Sequence, residues 1–261
     1  MPKTFIVPVD GSEAAEQALQ VAQTLAERVG SCDLVVMAAA GSESERDMHG
    51  YLDALVDRVG CGRIRADLVE ADPADAIVRA AKNQVDAVVC MATHGRGRLA
   101  APFLGSVAND VLRRVDVPVV LVGPHCEPTW WHDRPRVVAC WSGEPSNAIL
   151  LPARELAEAL AGELWIDSVF HPLDTQMAEH PHAEFEPALE QIGPGIEVHL
   201  VPLRSDYPAG AIVHSARDLP ATLLAMTTHA RSGVSLVALG SVTMQVVHNS
   251  PCPVLVVAGY R

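Results

Sequence analysis

Aromatic residues make up only 4% of this 261-residue chain. That leaves few rings on which single-stranded bases could stack. Basic residues are also scarce: 19 Lys and Arg stand against 32 Asp and Glu, for a formal charge of −13. A phosphate-backbone partner is therefore disfavoured, because such binding rests on Lys and Arg. The deficit does not exclude a single nucleotide at a local, Mg²⁺-assisted site. No apolar run approaches about 18 residues, so no transmembrane helix is expected. Phe5-Ile6-Val7 is too short for the apolar region of a secretory signal. The six cysteines (Cys32, Cys61, Cys90, Cys126, Cys140 and Cys252) form no CxxC pair. They read as scattered buried thiols of a reduced compartment, against redox sensing or metal binding. The expected location is cytoplasmic, with neither nucleic acid nor membrane as partner. Also missing are a GxxxxGK[ST] loop and a GxGxxG fingerprint; Gly95-Arg96-Gly97 is too short to count as either.

What is present is a repeat. Val85 to Gly123 contains an apolar run (Ala87 to Ala92), a glycine-bearing loop (Thr93 to Gly105), an amphipathic stretch opened by Ser106, and a second apolar run (Val119 to Val122). Val107, Val111, Leu112 and Val115 are expected on one face of that stretch. The pattern is strand, loop, helix, strand. A glycine loop before a helix lets a ligand approach backbone N–H groups, and the helix N-terminus adds partial positive charge. Such a place suits a phosphate; its alternative use is a tight turn alone. A constant offset of 135 residues carries Met91 to Met226, His94 to His229, Gly105-Ser106 to Gly240-Ser241, and Pro118 to Pro253. The chain is thus a tandem repeat of two half-chains, with domains expected at 1–123 and 136–261 and a linker at 124–135.

In chain order, Thr4 to Val9 reads as a buried strand meeting the turn Asp10-Gly11-Ser12. A helix follows, with Ala14, Ala15, Ala18, Leu19, Ala22, Leu25 and Ala26 at three- and four-residue spacing, ended by Gly30. Asp33 to Ala40 is a continuously apolar strand, as expected when helices cover both faces. A second helix starts within Ser42 to Glu45 and stops near Gly60, Arg63 to Glu70 is a third strand, and Pro73 opens a third helix through Lys82. No Asn-Gly hairpin signal interrupts the alternation. The fold class is therefore α/β: two repeated, doubly wound parallel-sheet domains. The expected strand order is 3-2-1-4-5. Connections then reverse between strands one and four, and ligands of open α/β sheets sit at such a switch point. The strand ends there are Asp10-Gly11-Ser12 and Ala92-Thr93-His94-Gly95.

The linker Pro124 to Pro135 carries three prolines, which keep it extended; Trp130 and Trp131 read as packing residues at the domain seam. The second half repeats the pattern. Strands are expected at Arg136–Trp141, Glu163–Phe170, Ile196–Leu203 and Ala221–Thr227, and helices at Asn147–Ala161, Ala183–Ile192 and Pro208–Arg217.

The block of strands four and five resembles the universal stress protein family, and the tandem arrangement resembles its two-domain members, across essentially the whole chain. Nucleotide-binding members carry a Gly, two residues, a second Gly, nine residues, then Gly-Ser or Gly-Thr. The first half has Ala92, Thr93-His94, Gly95, nine residues from Arg96 to Leu104, then Gly105-Ser106. Only the first glycine is missing, and Ala92 is harmless there unless the backbone needs φ > 0. The resemblance implies an adenine nucleotide alpha hydrolase-like fold and a site for ATP, with or without Mg²⁺. It places Pro8, Val9, Asp10, Gly11 and Ser12 at the first strand's end, Ala39 beside adenine, Met91 near the end of the fourth strand, and Thr93, His94, Gly95, Arg96, Gly97 and Arg98 in the motif loop. Gly95, Gly105 and Ser106 would hold the phosphates through backbone amides and the serine hydroxyl, with Val107 also at the nucleotide. A weaker second site would comprise Ser142, Thr228, His229, Arg231, Gly240, Ser241 and Val242. There Thr227 and Ala230 replace both early glycines, and no Asp occupies the place of Asp10. The resemblance further implies that the last strands of the halves pair, making one chain a pseudo-dimer; association of two chains into a homodimer stays open.

Several residues keep two readings. His94 and His229 serve either as a base or, more simply, as loop-ordering groups. Arg96 and Arg98 either offset phosphate charge or are surface arginines. His171, His180 and His182 are metal ligands or, better, members of a solvated loop. The functional expectation is a stress-response module that binds ATP or a related adenine nucleotide, mainly in its first domain. It lacks an evident water-orienting base and an arginine finger, which efficient phosphoryl transfer uses. The alternatives are a slow ATP hydrolase or nucleotide-using transferase with Asp10 and His94 near the γ-phosphate, and a nucleotide-free interaction scaffold.

Overall fold

The computed structural model describes residues 2–30, 32–39, 45–59, 63–95, 104–174, 185–228 and 239–258. They form two compact units, Met1–Pro124 and His125–Arg261. The first runs β1 (Thr4–Pro8), α1 (Glu13–Val29), β2 (Asp33–Ala39), α2 (Glu45–Val59), β3 (Ile64–Val69), α3 (Pro73–Lys82), β4 (Ala87–Ala92), α4 (Ser106–Arg114) and β5 (Val119–Val122). Its strands lie in the order β3-β2-β1-β4-β5, with every described pairing parallel. This is the order expected from the alternation of strands and helices. The second unit runs β6 (Arg136–Cys140), a 3-10 turn (Glu144–Ile149), α5 (Leu150–Ala159), β7 (Glu163–Phe170), α6 (Glu186–Ile192), β8 (Val198–Arg204), α7 (Pro208–Asp218), β9 (Leu223–Thr228), α8 (Ser241–Asn249) and β10 (Val254–Ala258). Its order, β8-β7-β6-β9-β10, repeats the first, again with parallel pairs.

Local sequence explains the elements. α1 buries Ala15, Ala18, Leu19, Ala22, Leu25 and Ala26, and Ser12 caps it by accepting from the Ala15 amide. Gly30 ends it at φ 98°, a conformation that favours glycine. The central strands are buried on both faces: Phe5, Ile6 and Val7 of β1 are at most 1% exposed, while β3 at the sheet edge is only half-buried. α2 begins at Glu45; the helix-start residues expected just before it, and Gly60 after it, lie outside the described residues. In the second unit the chain enters α5 through the 3-10 turn and not through a helix starting at Asn147. Pro145 supplies no N–H, and Ser146 donates its hydroxyl to the Gly143 carbonyl, which tightens that turn. α5 then stops at Ala159, and Ala161 adopts φ 50° before Gly162 packs on Pro135.

Residues following Pro124 are fastened to the second unit. The Glu127 amide donates to the Pro251 carbonyl at 2.8 Å, and His125 Nδ1 lies 2.7 Å from the His248 carbonyl. Trp130 is buried, with Trp131 edge-on to it. Five of the cysteines, Cys32, Cys90, Cys126, Cys140 and Cys252, are buried thiols; Cys61 lies outside the described residues. Burial pushes the Cys126 thiol up to about 12 and Cys252 to about 11, so neither is a ready thiolate. Among the described residues no helix is long and apolar enough to cross a membrane, and no group of acids, histidines and cysteines is spaced to hold a metal. Of the three histidines weighed as metal ligands, His171 follows β7 and is exposed, while His180 and His182 lie outside the described residues.

Burial sets the cost of truncation. Ile6→Ala, at a fully buried position, is expected to lower stability by about 2–5 kcal/mol. Leu173→Ala, at an 81% exposed position, should change it by less than about 0.5 kcal/mol. Chemical denaturation followed by circular dichroism measures both; similar losses in the two variants would contradict the assigned core.

Candidate functional site

The crevice at the carboxyl ends of β1 and β4 starts with a rigid turn. After β1 the chain passes Val9 and Asp10 and turns at Gly11, φ 78°. Asp10 Oδ1 accepts from the Ser12 amide at 3.0 Å and from the Ser12 hydroxyl at 2.6 Å. The same hydroxyl oxygen accepts from the Ala15 amide at 3.2 Å. One serine therefore caps α1 and clamps the carboxylate. The clamp directs Oδ2 at Gly95, where an added Cβ would overlap it and lie 3.4 Å from Cγ. Gly95 has no positive φ, so its requirement is space and not backbone freedom.

The loop from β4 is tied to the start of α4. The Gly105 amide donates to the Thr93 carbonyl at 2.8 Å, and a Cβ on Gly105 would sit 2.9 Å from that same oxygen. α4 then starts without a side-chain cap and without an acid in its first turn. α1 and α3 differ: Ser12 and Asp72 cap them, and acids occupy their first turns. The first helical bond of α4 runs from the Asn109 amide to the Gly105 carbonyl. The amides of Ser106, Val107 and Ala108 precede it, with no intrahelical acceptor. Such an end attracts anions. His94 places Nδ1 3.0 Å from the Thr93 hydroxyl. Its buried Nε2 has no hydrogen-bond partner among the described residues.

These groups border a cavity of about 530 Å³, within the range of small-molecule sites. Eleven of the residues expected at the first site line it: Pro8, Val9, Asp10, Ala39, Met91, Thr93, His94, Gly95, Gly105, Ser106 and Val107. Gly11 and Ser12 stand behind Asp10 as its supports. Arg96, Gly97 and Arg98 lie outside the described residues. Val107, expected on the apolar face of α4, is half-buried beside the cavity; Ala108 takes the buried position with Val111 and Leu112. The sequence reading missed the apolar wall formed by Met37 of β2 and by Pro73, Ala76 and Ile77 of α3. Two signals pointed there: Met37 precedes Ala39 by one strand period, and 73, 76 and 77 share a helix face. Ala92, in place of the family glycine, is not one of the two described non-glycine residues with positive φ, Asp86 and Ala161. It fits without strain.

The second unit repeats the frame with other side chains. Gly240 caps α8 at φ −56°, ψ 153°, against −57° and 153° at Gly105, again with no side-chain cap. Ser241 and Val242 open α8, and Thr228 ends β9. Ser142 occupies the place of Asp10, before Gly143 at φ 89°. The Ser142 amide donates to the Ser146 hydroxyl at 2.7 Å, so this turn closes on a neutral group. His229 and Arg231 lie outside the described residues. On β7, Asp167 stands where β2 has Met37: the Trp141 amide donates to the Asp167 carbonyl as the Val9 amide does to that of Met37.

The first half pairs Asp10 with Gly95, and the second has Ser142 and Ala230 at the matching places. Gly95→Ala should therefore cost about 1–3 kcal/mol by overpacking against the clamped carboxylate. In an Asp10→Ser background it should cost much less, a coupling that a double-mutant cycle reads directly. Equal costs in both backgrounds would show that another contact demands glycine.

A model of the universal stress protein family matches residues 1–123 and again 136–258. A universal stress protein of Mycobacterium tuberculosis is 26% identical over 226 residues, covering 77% of this chain and 72% of that one. Another, from Thermus aquaticus, is 31% identical over 136 residues, covering 47% of this chain and 99% of its own. A crystal structure of a universal stress protein from Archaeoglobus fulgidus shares the fold, with a TM-score of 0.72 at 23% identity and 98% coverage of both chains. The family match falls once on each of the two repeated sheets, and by it the chain belongs to the universal stress protein family as a tandem two-domain member.

Proposed function

We propose that the first unit holds ATP or a related adenine nucleotide in the crevice between β1 and β4, as a stress-response regulatory module. One observation carries this reading: the cavity is apolar at one end and lined by uncapped amides at the other. Pro8, Met37, Ala39 and Ile77 offer an apolar slot for a base. Gly105, Ser106 and Val107 offer main-chain donors for phosphates. Asp10, between the two ends, is the acid that a Mg²⁺-bound triphosphate would meet, and a hard cation suits a carboxylate. The second unit, with Ser142 for Asp10, is the weaker site.

A slow hydrolase is the second reading, favoured by His94 lining the same cavity as Asp10. In that case His94→Ala should abolish phosphate release while leaving nucleotide affinity within about threefold. A binding module would release no phosphate in either form.

Denaturing freshly purified protein and resolving the released nucleotides on a column tests the main reading. About one ATP or ADP per chain is expected, and none from Gly105→Glu, which sets a carboxylate against the phosphate position. Circular dichroism checks that the variant folds. No nucleotide in the wild type, and no binding of millimolar MgATP added back, would leave the interaction scaffold.

A further inference from the structure

The second unit buries an acid for which the proposed nucleotide site has no use. Asp167 lies on β7 and is 2% exposed. The Ser215 hydroxyl on α7 hydrogen-bonds its carboxyl group, while Oδ2 has no partner among the described residues. Its register partners are Cys140 on β6 and Val201 on β8. Among the described residues no cation pairs with it. Arg136, on β6, is engaged with Glu163 at the opposite end of β7. His199, on β8, stacks on Trp165 with ring centroids 4.3 Å apart and has Glu197 as its acidic neighbour. His214 and Asp218, on α7, pair with each other at 3.1 Å on the exposed side. Burial alone pushes the Asp167 carboxyl up to about 6, with Ser215 opposing the rise.

Beside this acid runs a groove of about 550 Å³ between β8 and α7, lined among others by Val201, Leu203, Ala211 and Ser215. Val201 is the register partner of Asp167, and Ser215 is its hydrogen-bond partner. A single layer of side chains therefore separates the carboxyl group from the groove.

We propose that Asp167 is a proton-operated latch: neutral, it lets α7 close on β7, and ionised, it drives α7 outward so that water from the groove reaches the carboxylate. The sign follows from linkage. In an open or unfolded state the carboxyl group has its ordinary value of 3.8, and in the closed state it is raised to about 6. Closure is therefore unpenalised below about pH 4, weakens as pH rises from 4 to 6, and stays weakened above 6. Two units correspond to roughly 100-fold in the closing equilibrium.

Hydrogen exchange of the full chain, read by mass spectrometry over Ala211 to Leu219 at pH 4.5 and 7.5 and corrected for intrinsic rates, tests the latch. Wild-type protection in this segment should fall by on the order of tenfold or more relative to Asp167→Asn as pH rises, with no such difference in α3. A parallel readout is urea unfolding by tryptophan fluorescence, because all four tryptophans (Trp130, Trp131, Trp141 and Trp165) lie in the second unit. Asp167→Asn should unfold at higher urea than wild type at pH 7.5, and the gap should shrink sharply at pH 4.5. Asp167→Leu serves the same comparison if the amide variant does not fold. Identical pH dependence in wild type and variant would overturn the proposal, as would a change shared equally by α3.

Discussion

Parallel pairing constrains this protein before any side chain does. Neighbouring parallel strands cannot be joined by a tight turn, so each connection crosses over as a helix and the strands stay buried. That is why β1 and β4 read as unbroken apolar runs, and why the helical stretches between strands carry one apolar stripe each. With the order β3-β2-β1-β4-β5, the chain first winds outward one way from β1 and then, after α3, the other way. The loops after β1 and β4 diverge at that reversal, and the crevice is the space they leave. It follows from topology, and the chain needs only to furnish it.

The furnishing is economical. Ser12 holds a helix end and a carboxylate at once, so the geometry of α1 and of Asp10 cannot vary independently. The clamped carboxylate in turn dictates the missing side chain at Gly95. A different demand acts at Gly105, where the Thr93 carbonyl fills the space of a Cβ and links β4 to α4. Two glycines of one motif thus exist for two steric reasons, neither of which is a positive φ. Ala92 needs neither reason, because its backbone is ordinary strand.

Much of this was legible in the sequence, and the physical reason is periodicity. The repeat at an offset of 135, the alternation of apolar runs with amphipathic stretches, and the turn residues Asp10-Gly11-Ser12 are local features, and they led to the strand order and to most of the cavity lining. What escaped was non-local. Pro73, Ala76 and Ile77 come to the cavity because α3 folds back over the sheet; their shared helix face is visible in the sequence, but the same spacing serves a wall or a core face. Asp167 escaped for a related reason. An acid inside an apolar strand looks like a strand end or an error of register until pairing with Cys140 and Val201 shows it in mid-sheet. The 3-10 entry to α5 depended on Ser146 bonding the Gly143 carbonyl, which competes with a regular helix start and leaves no periodic trace.

The starts of α4 and α8 agree within a degree in their capping glycines and share Leu-Gly-Ser-Val, although Asp10 and Gly95 of the first half are Ser142 and Ala230 in the second. Point substitution removes a donor that belongs to the peptide bond only where proline enters. Otherwise it is lost when the main chain moves. A duplicated domain can therefore drift in composition while its row of uncapped main-chain donors persists. In such a protein, divergence of side chains measures a change in selectivity sooner than a loss of the capacity to hold a ligand.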